Sequence, residues 1–239
     1  DVAICTYRYT WNGTKKEHVK EERSAGSWYV GKWRREWMPK ESWNKNINYA
    51  DVNYCPLRYA DVVLMAAEAY NETGTDRQKA WDLLNSVRTR AEATSITEAH
   101  YDEMMSARKK THNLTFIDDS APEGKFRTAL YWERGFELAF EGQRKYDLIR
   151  WGVLGKALKL FGEISSVNQK ENKPYPAYRN FTEGKHELFP IPLKEIQSNP
   201  KLNGMNNFFK GEDMQTFLCL FFVLFLLVCQ LDIFKKSKK

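Results

Sequence analysis

LRYADVVLMAAEAYNETG, residues Leu57 to Gly74, is the stretch on which the fold turns. Tyr59, Val62, Val63, Ala66, Ala67 and Tyr70 recur in it at helical spacing, and Gly74 stands where a left-handed residue can end a helix. A second amphipathic segment follows at once. Thr75 is its expected N-cap, with Gln78 placed to complete a capping box, and Ala80, Leu84, Val87 and Ala91 mark its buried stripe. A connection this short forces the two helices antiparallel, and the small alanines let their backbones approach. Val63, Ala66, Ala67 and Tyr70, followed by Ala80 and Leu84, reproduce the large, small and aromatic pattern of a tetratricopeptide helix pair, with one extra loop residue. One such unit cannot bury its own face, so the pattern predicts further helices against it.

Outward from this hairpin the patterning changes. Residues 1–56 are expected to be loop-rich: strand-like alternation from Ile4 to Tyr9, then Trp28, Trp33, Trp37 and Trp43 among lysines and arginines, ending at Pro56. Downstream, residues 97–110 read as helical, Asp118 to Gly124 as a turn, and about Phe126 to Trp151 as one long helix. Gly135 and Gly142 inside it each cost on the order of 1 kcal/mol relative to alanine, which predicts that another element packs closely there. From Pro174 onward, Pro176, Pro190, Pro192 and Pro200 impose extended and turn conformations, expected to wrap over the helices. The expected fold class is mainly α: a tetratricopeptide-like helical hairpin plus long helices, with irregular loop-rich segments. Three regions follow, an aromatic segment at 1–56, a helical region at 57–205 and a tail at 206–239.

The 239 residues suffice for a core without metals or disulfides. The formal charge of +6 does not point to nucleic acid, because 31 acidic residues are interleaved with 37 basic ones and the lysines of Lys235 to Lys239 hold much of the excess at the very end. Cys5, Cys55, Cys219 and Cys229 have no zinc or redox spacing, and His18, His100, His112 and His186 include no i, i+4 pair, so no metal or cofactor is expected. The chain opens at Asp1 with no leader-like segment, and the expectation is that its true start lies upstream. Phe217 to Cys229 is thirteen consecutive apolar residues, shorter than the ~20 needed to span a bilayer and closer to a signal-peptide core. Met214 just ahead of it suggests the leader of a neighbouring reading frame; a tail anchor with cytoplasmic lysines is the alternative.

Glu133, Glu137, Glu141 and Asp147 raise the question of glycoside hydrolysis, which needs two acids flanking a sugar bond. The expected answer is structural pairing, since Arg134, Arg144 and Lys145 lie three or four residues from Glu137 and Glu141. Neither a nucleophile elbow nor a phosphate-binding glycine loop is present in the sequence. Arg58, Arg88, Arg90, Arg144 and Arg150 lie on or beside apolar helices, where each can snorkel or pair with Asp61, Glu68, Glu92 or Asp147. The Trp28 to Trp43 cluster has two readings: anchors for an irregular segment, or stacking faces for a sugar, whose apolar CH surface suits an indole. Under the second, Trp33, Trp37 and Trp43 are the candidate substrate-binding residues.

Four blocks carry a family resemblance. Leu57 to Gly74 resembles the arginine-tyrosine-alanine-aspartate helix of the SusD/RagB outer-membrane nutrient-binding lipoproteins, and LNSVRTRA (Leu84 to Ala91) is similar to the helix after it. ERGFELAFEGQRKYDLIRWG (Glu133 to Gly152) resembles that family's glutamate-leucine-alanine-phenylalanine-glutamate-glycine core and its aspartate-leucine-arginine-tryptophan end, and ELFPIPLKEIQSNPKL (Glu187 to Leu202) its closing segment. The resemblance spans about residues 30–205 and implies a tetratricopeptide-containing helical fold, a lipid anchor at the cell outer membrane, and non-enzymatic capture of oligosaccharides for a SusC-like TonB-dependent transporter. Gly135 stands where the family tends to carry an arginine, and Gln143 where it often has histidine. The family's amino-terminal half has no counterpart here, so no binding residue is carried over. The rival function is a tetratricopeptide-type peptide-binding adaptor held to a membrane by its tail; a hydrolase using Glu133 and Glu141 is a third.

Overall fold

The structure is a computed structural model that describes residues 4–15, 17–24, 27–34, 37–39, 53–103, 114, 116–168, 176–199 and 201. Trp43, His112, Pro174, Pro200 and the apolar tail with its lysines lie outside the described residues. The chain divides into two compact units, one of Asp1–Ala107 and Ile117–Arg144, the other of Arg108–Phe116 and Lys145–Lys239.

The first unit begins with short strands. β1 (Ile4–Cys5) pairs antiparallel with β4 (Tyr29–Val30), and between them β2 (Tyr7–Asn12) and β3 (Glu17–Glu22) form a hairpin with Tyr7 opposite Glu22 and Asn12 opposite Glu17. The hairpin turn is an Asx turn: Asn12 Oδ1 accepts from the N–H groups of Thr14 and Lys15 at 3.0 Å.

The helical body follows. α1 (Tyr59–Thr73) ends at Gly74, whose φ of 64° lets its N–H turn back to the Asn71 carbonyl, as its sequence predicts. α2 (Arg77–Arg90) is capped one residue later than expected: Asp76, not Thr75, is the N-cap, and its Oδ1 accepts from Lys79 N at 2.8 Å. A carboxylate is a stronger acceptor than a hydroxyl at a helix N-terminus, and Thr75 bonds Thr73 instead. α3 (Pro122–Glu137) uses Pro122 in its first turn. It packs on both helices of the hairpin, supplying the partner that a lone repeat needs. Leu64, Ala67, Ala80 and Leu84 are fully buried, and Trp81 meets Phe126 edge to face at 5.0 Å. Each large side chain so buried contributes roughly 1.5–3 kcal/mol.

Beyond α2 the chain is pinned, not continuously helical. Asn85 donates to the Ile96 carbonyl at 2.7 Å and accepts from its N–H at 2.8 Å, tying a loop to the helix. Only a short helical segment from Glu98 to Glu103 is described in the stretch expected to be helical over 97–110. Tyr101 there is fully buried and donates its hydroxyl to Asp119 at 2.9 Å.

The single long helix expected from Phe126 to Trp151 is two. α3 stops at Glu137, and α4 (Arg144–Arg150) starts afresh. Between them Phe140 has φ 64° and Gly142 φ 79°, left-handed values that no α-helix contains. Gly142 therefore lies outside any helix, and its cost inside one is never incurred. Gly135 stays helical, but the close packing expected there is not found: the nearest atoms to where a Cβ would sit belong to the Arg144 guanidinium at an ordinary 3.4 Å, which stacks over the Tyr131 ring at 3.9 Å.

In the second unit, α5 (Leu154–Asn168) packs with α6 (Pro176–Arg179), and α7 (Leu193–Ser198) follows Pro192. Gly155 and Gly162, two turns apart on one face of α5, make room for rings: a Cβ would lie 2.8 Å from Phe181 and 2.6 Å from Tyr178. Asp147 holds Arg150 at 3.0 Å, as expected of that pair. The class is mainly α, as the sequence predicts.

Candidate functional site

The end of α3 gathers a cluster of ion pairs. A helix C-terminus leaves its last carbonyls unbonded and carries partial negative charge, so it attracts cations. The Glu137 carbonyl accepts from Lys32 Nζ at 2.8 Å and from Arg58 Nη2 at 2.5 Å. The side chains of Glu137 and Glu141 flank the helix break and add two carboxylates. Arg58 donates from Nε to Glu141 Oε2 at 2.7 Å and from Nη1 to Glu137 at 2.5 Å; Lys32 Nζ bonds the Glu141 carboxylate, and Arg90 reaches Glu137 at 2.5 Å. Three cations thus surround two carboxylates.

Burial raises the stakes of this hub. Glu141 is almost wholly buried, which by itself opposes ionisation, yet the hydrogen bonds from Arg58 and Lys32 outweigh that and hold its carboxyl below the usual range. Arg58 shows the reciprocal effect: burial works against its charge, and Glu141 and Glu137 more than restore it. Deeper in the helical body two further pairs are closed, Arg88 with Glu133 at 2.6 Å and Arg134 with Asp61 at 2.7 Å, all four residues buried.

The expected pairing of Glu137 and Glu141 with Arg134, Arg144 and Lys145 is therefore corrected. Arg134 turns inward to the buried Asp61; Arg144 lies on Tyr131, because the helix break removes the i, i+4 geometry that would have brought Arg144 and Lys145 over Glu141. The partners that replace them, Lys32 and Arg58, lie 109 and 83 residues from Glu141 in sequence.

Two loops end at this hub. Lys32 precedes Trp33, and Tyr54 donates its hydroxyl to the Glu141 carbonyl at 3.1 Å. The Trp33 and Tyr54 rings come within 5.7 Å, inclined at 39°. Of the three candidate tryptophans, Trp33 is thus half-buried and paired with Tyr54, Trp37 is exposed with the Arg34 guanidinium 5.6 Å from its ring, and Trp43 lies outside the described residues. Tyr54 was not legible as a site residue, since nothing near it in sequence marks it. Among the described residues no group of three or more His, Cys, Asp or Glu side chains converges as a metal site would.

A family model described as the SusD family matches residues 3–209. The chain belongs to the SusD family. Two curated SusD-like relatives from Formosa agariphila make the relation concrete. "SusD-like protein P25" is 36% identical over 166 residues, 67% of this chain and 26% of the relative; "SusD-like protein P2" is 33% identical over 153 residues, 64% and 25%. A solved SusD homolog from Bacteroides thetaiotaomicron superposes with a TM-score of 0.54 at 26% identity, covering 82% of this chain and 38% of that one. The chain therefore spans about a quarter of the length of these curated SusD-like relatives.

Proposed function

We propose that this SusD-family chain serves in a surface-exposed outer-membrane lipoprotein that binds oligosaccharide without hydrolysing it and delivers it to a SusC-like TonB-dependent transporter. The contact surface is the aromatic segment, through Trp33, Trp37 and Trp43.

One observation carries the reading: carboxylates and rings are deployed in opposite ways. Glycoside hydrolysis needs a carboxylic acid with a raised pKa and a second carboxylate free to act on the sugar. Glu133, Glu137 and Glu141 are each gripped by arginine or lysine, and Glu141 is shifted the wrong way to serve as an acid. Trp37, by contrast, presents more than half of its surface to water, as a stacking face for a sugar requires.

Titration of the protein with plant and host oligosaccharides, followed by tryptophan fluorescence and a reducing-sugar assay, tests this. Saturable quenching with no sugar released is expected, and Trp33→Ala, Trp37→Ala and Trp43→Ala should weaken it. Normal binding by all three variants would move the site elsewhere, and hydrolysis lost in Glu133→Gln or Glu141→Gln would overturn the non-enzymatic reading.

The same reading leaves the segment from about Met214 onward outside the binding region, which the end of the family match at residue 209 supports. A chain ending at Gly211 should melt at the same temperature as the full chain and aggregate less. Unfolding of the shortened chain would put the apolar stretch in the core.

A further inference from the structure

Trp33 has φ 53°, a left-handed backbone that a tryptophan takes up only where its surroundings impose it. Both neighbours are tied down. Lys32 is anchored to the Glu137 carbonyl and the Glu141 carboxylate, while Arg34 donates from Nε to the Gly31 carbonyl at 2.6 Å and from Nη1 to the Tyr7 hydroxyl at 3.0 Å. The second loop is held by the same turn of chain. Tyr54 donates to the Glu141 carbonyl, Gln143 Nε2 donates to the Pro56 carbonyl at 2.7 Å, and Arg58 closes on the Glu141 carboxylate. Residues 137–143 thus grip two stretches about twenty residues apart in sequence, and what those stretches bring together is the Trp33–Tyr54 ring pair.

A buried charge cluster is a poor source of stability, because desolvation opposes the Coulombic gain, but it enforces one geometry. Here the enforced geometry lies largely outside the core: Tyr54 is 61% exposed.

We infer that Glu141, with Lys32 and Arg58, is a positioning device that sets how Trp33 and Tyr54 are presented together, and that Tyr54 is a second ligand-facing ring of the site. This rests on the glycan-binding reading for its ligand, though not for its geometry. Glu141 and its two cations touch no sugar; they act through the rings, whose mutual inclination decides whether both can meet one bound oligosaccharide.

The test uses the full chain labelled with 5-fluorotryptophan, the Trp33 fluorine resonance being identified by its loss in Trp33→Phe. Lys32→Met removes the ammonium but keeps the aliphatic stem, and Tyr54→Phe removes only the hydroxyl that bonds Glu141; Arg127→Ala, at the surface pair with Glu72, is the control. In both hub variants the Trp33 resonance should shift while the other tryptophan resonances stay put, with at most a modest fall in melting temperature from the lost hub bonds. Affinity for any oligosaccharide bound by the parent should fall roughly tenfold, as when a contact that carries binding energy is lost. An unmoved Trp33 resonance in both variants overturns the inference. So does a general shift of all tryptophans, which would make the hub a stabilising element only. If the parent binds no oligosaccharide, the proposed function fails, and the fluorine spectra still decide the positioning role.

Discussion

Trp81, Tyr101 and Phe126 in the helical body are buried, whereas Trp28, Tyr29 and Trp37 in the segment before it leave about half of their surface in water. The residue types are the same and the environments opposite. In the body these three rings are packed: Trp81 lies edge to face on Phe126, and Tyr101 ends on Asp119. In the segment the rings find cations and loop carbonyls instead, Tyr29 near Arg23, Trp37 near Arg34, and the Trp28 indole N–H on the Arg23 carbonyl. Apolar area left in water contributes nothing to folding. The contrast separates rings whose burial supports the fold from rings left in water, and it can be broken or sharpened by substitution.

The largest effects should lie in the body. Trp81→Ala is expected to cost about 3–5 kcal/mol. Arg88→Ala, which strands a buried Glu133, should cost a similar ~3–5 kcal/mol, against less than ~1 kcal/mol for Arg127→Ala at the exposed Glu72 pair. Urea denaturation of the three variants measures this, and equal losses at Arg88 and Arg127 would erase the distinction between buried and surface charge.

Next comes Gly124→Ala. A Cβ at this first-turn position of α3 would lie 1.7 Å from the Asp118 carbonyl oxygen, a backbone atom that cannot swing aside. A loss of roughly 1–3 kcal/mol is expected by thermal melting. Gly135→Ala, facing only the Arg144 side chain at ordinary contact distance, should instead gain up to ~1 kcal/mol of helix propensity. A tolerated alanine at 124 would mean that the turn before α3 can shift.

A smaller effect is expected from pH. Glu141 has a lower pKa folded than unfolded, so its contribution is fully present above the ordinary glutamate range and is lost as pH falls through the depressed folded value. Arg58, Lys32, Arg90 and Glu137 complete the hub and stay with the parent in both arms of the comparison. Melting temperatures followed downward from pH 7 should therefore fall less steeply in Glu141→Gln than in the parent. Parallel slopes would show that Glu141 does not carry the linkage.

The smallest effect belongs to the segment. Trp37→Ala should change stability by no more than about 0.5 kcal/mol, despite removing as large a ring as Trp81→Ala does. A loss comparable to that of Trp81 would mean that the ring is structural.

The helical hairpin was legible because its information is local. Apolar spacing in Leu57 to Gly74, a glycine at the left-handed stop and a loop too short for anything but an antiparallel return all act within a few residues. The four blocks of family resemblance were legible for the same reason, and the family match over residues 3–209 agrees with them. The break after Glu137 was not, because Phe140 carries no mark of a left-handed residue and Gly142 alone reads as a tolerated helical glycine. The candidate site was legible in part: Trp33 and Trp37 could be named as rings in an irregular segment, but not the pairing of Trp33 with Tyr54.

By itself the sequence determined the mainly helical class, the α1–α2 hairpin, its glycine stop and the presence of charged residues along α3. Tertiary structure alone decided which charges meet at the end of α3. Propensity, capping and periodicity operate over a few residues, whereas Lys32, Arg58 and Glu141 come from three separated parts of the chain and are joined only when α3 packs on the hairpin and its end turns back on itself. Coulombic attraction depends on distance in space and not along the chain, so the partners of a buried carboxylate are a product of the fold.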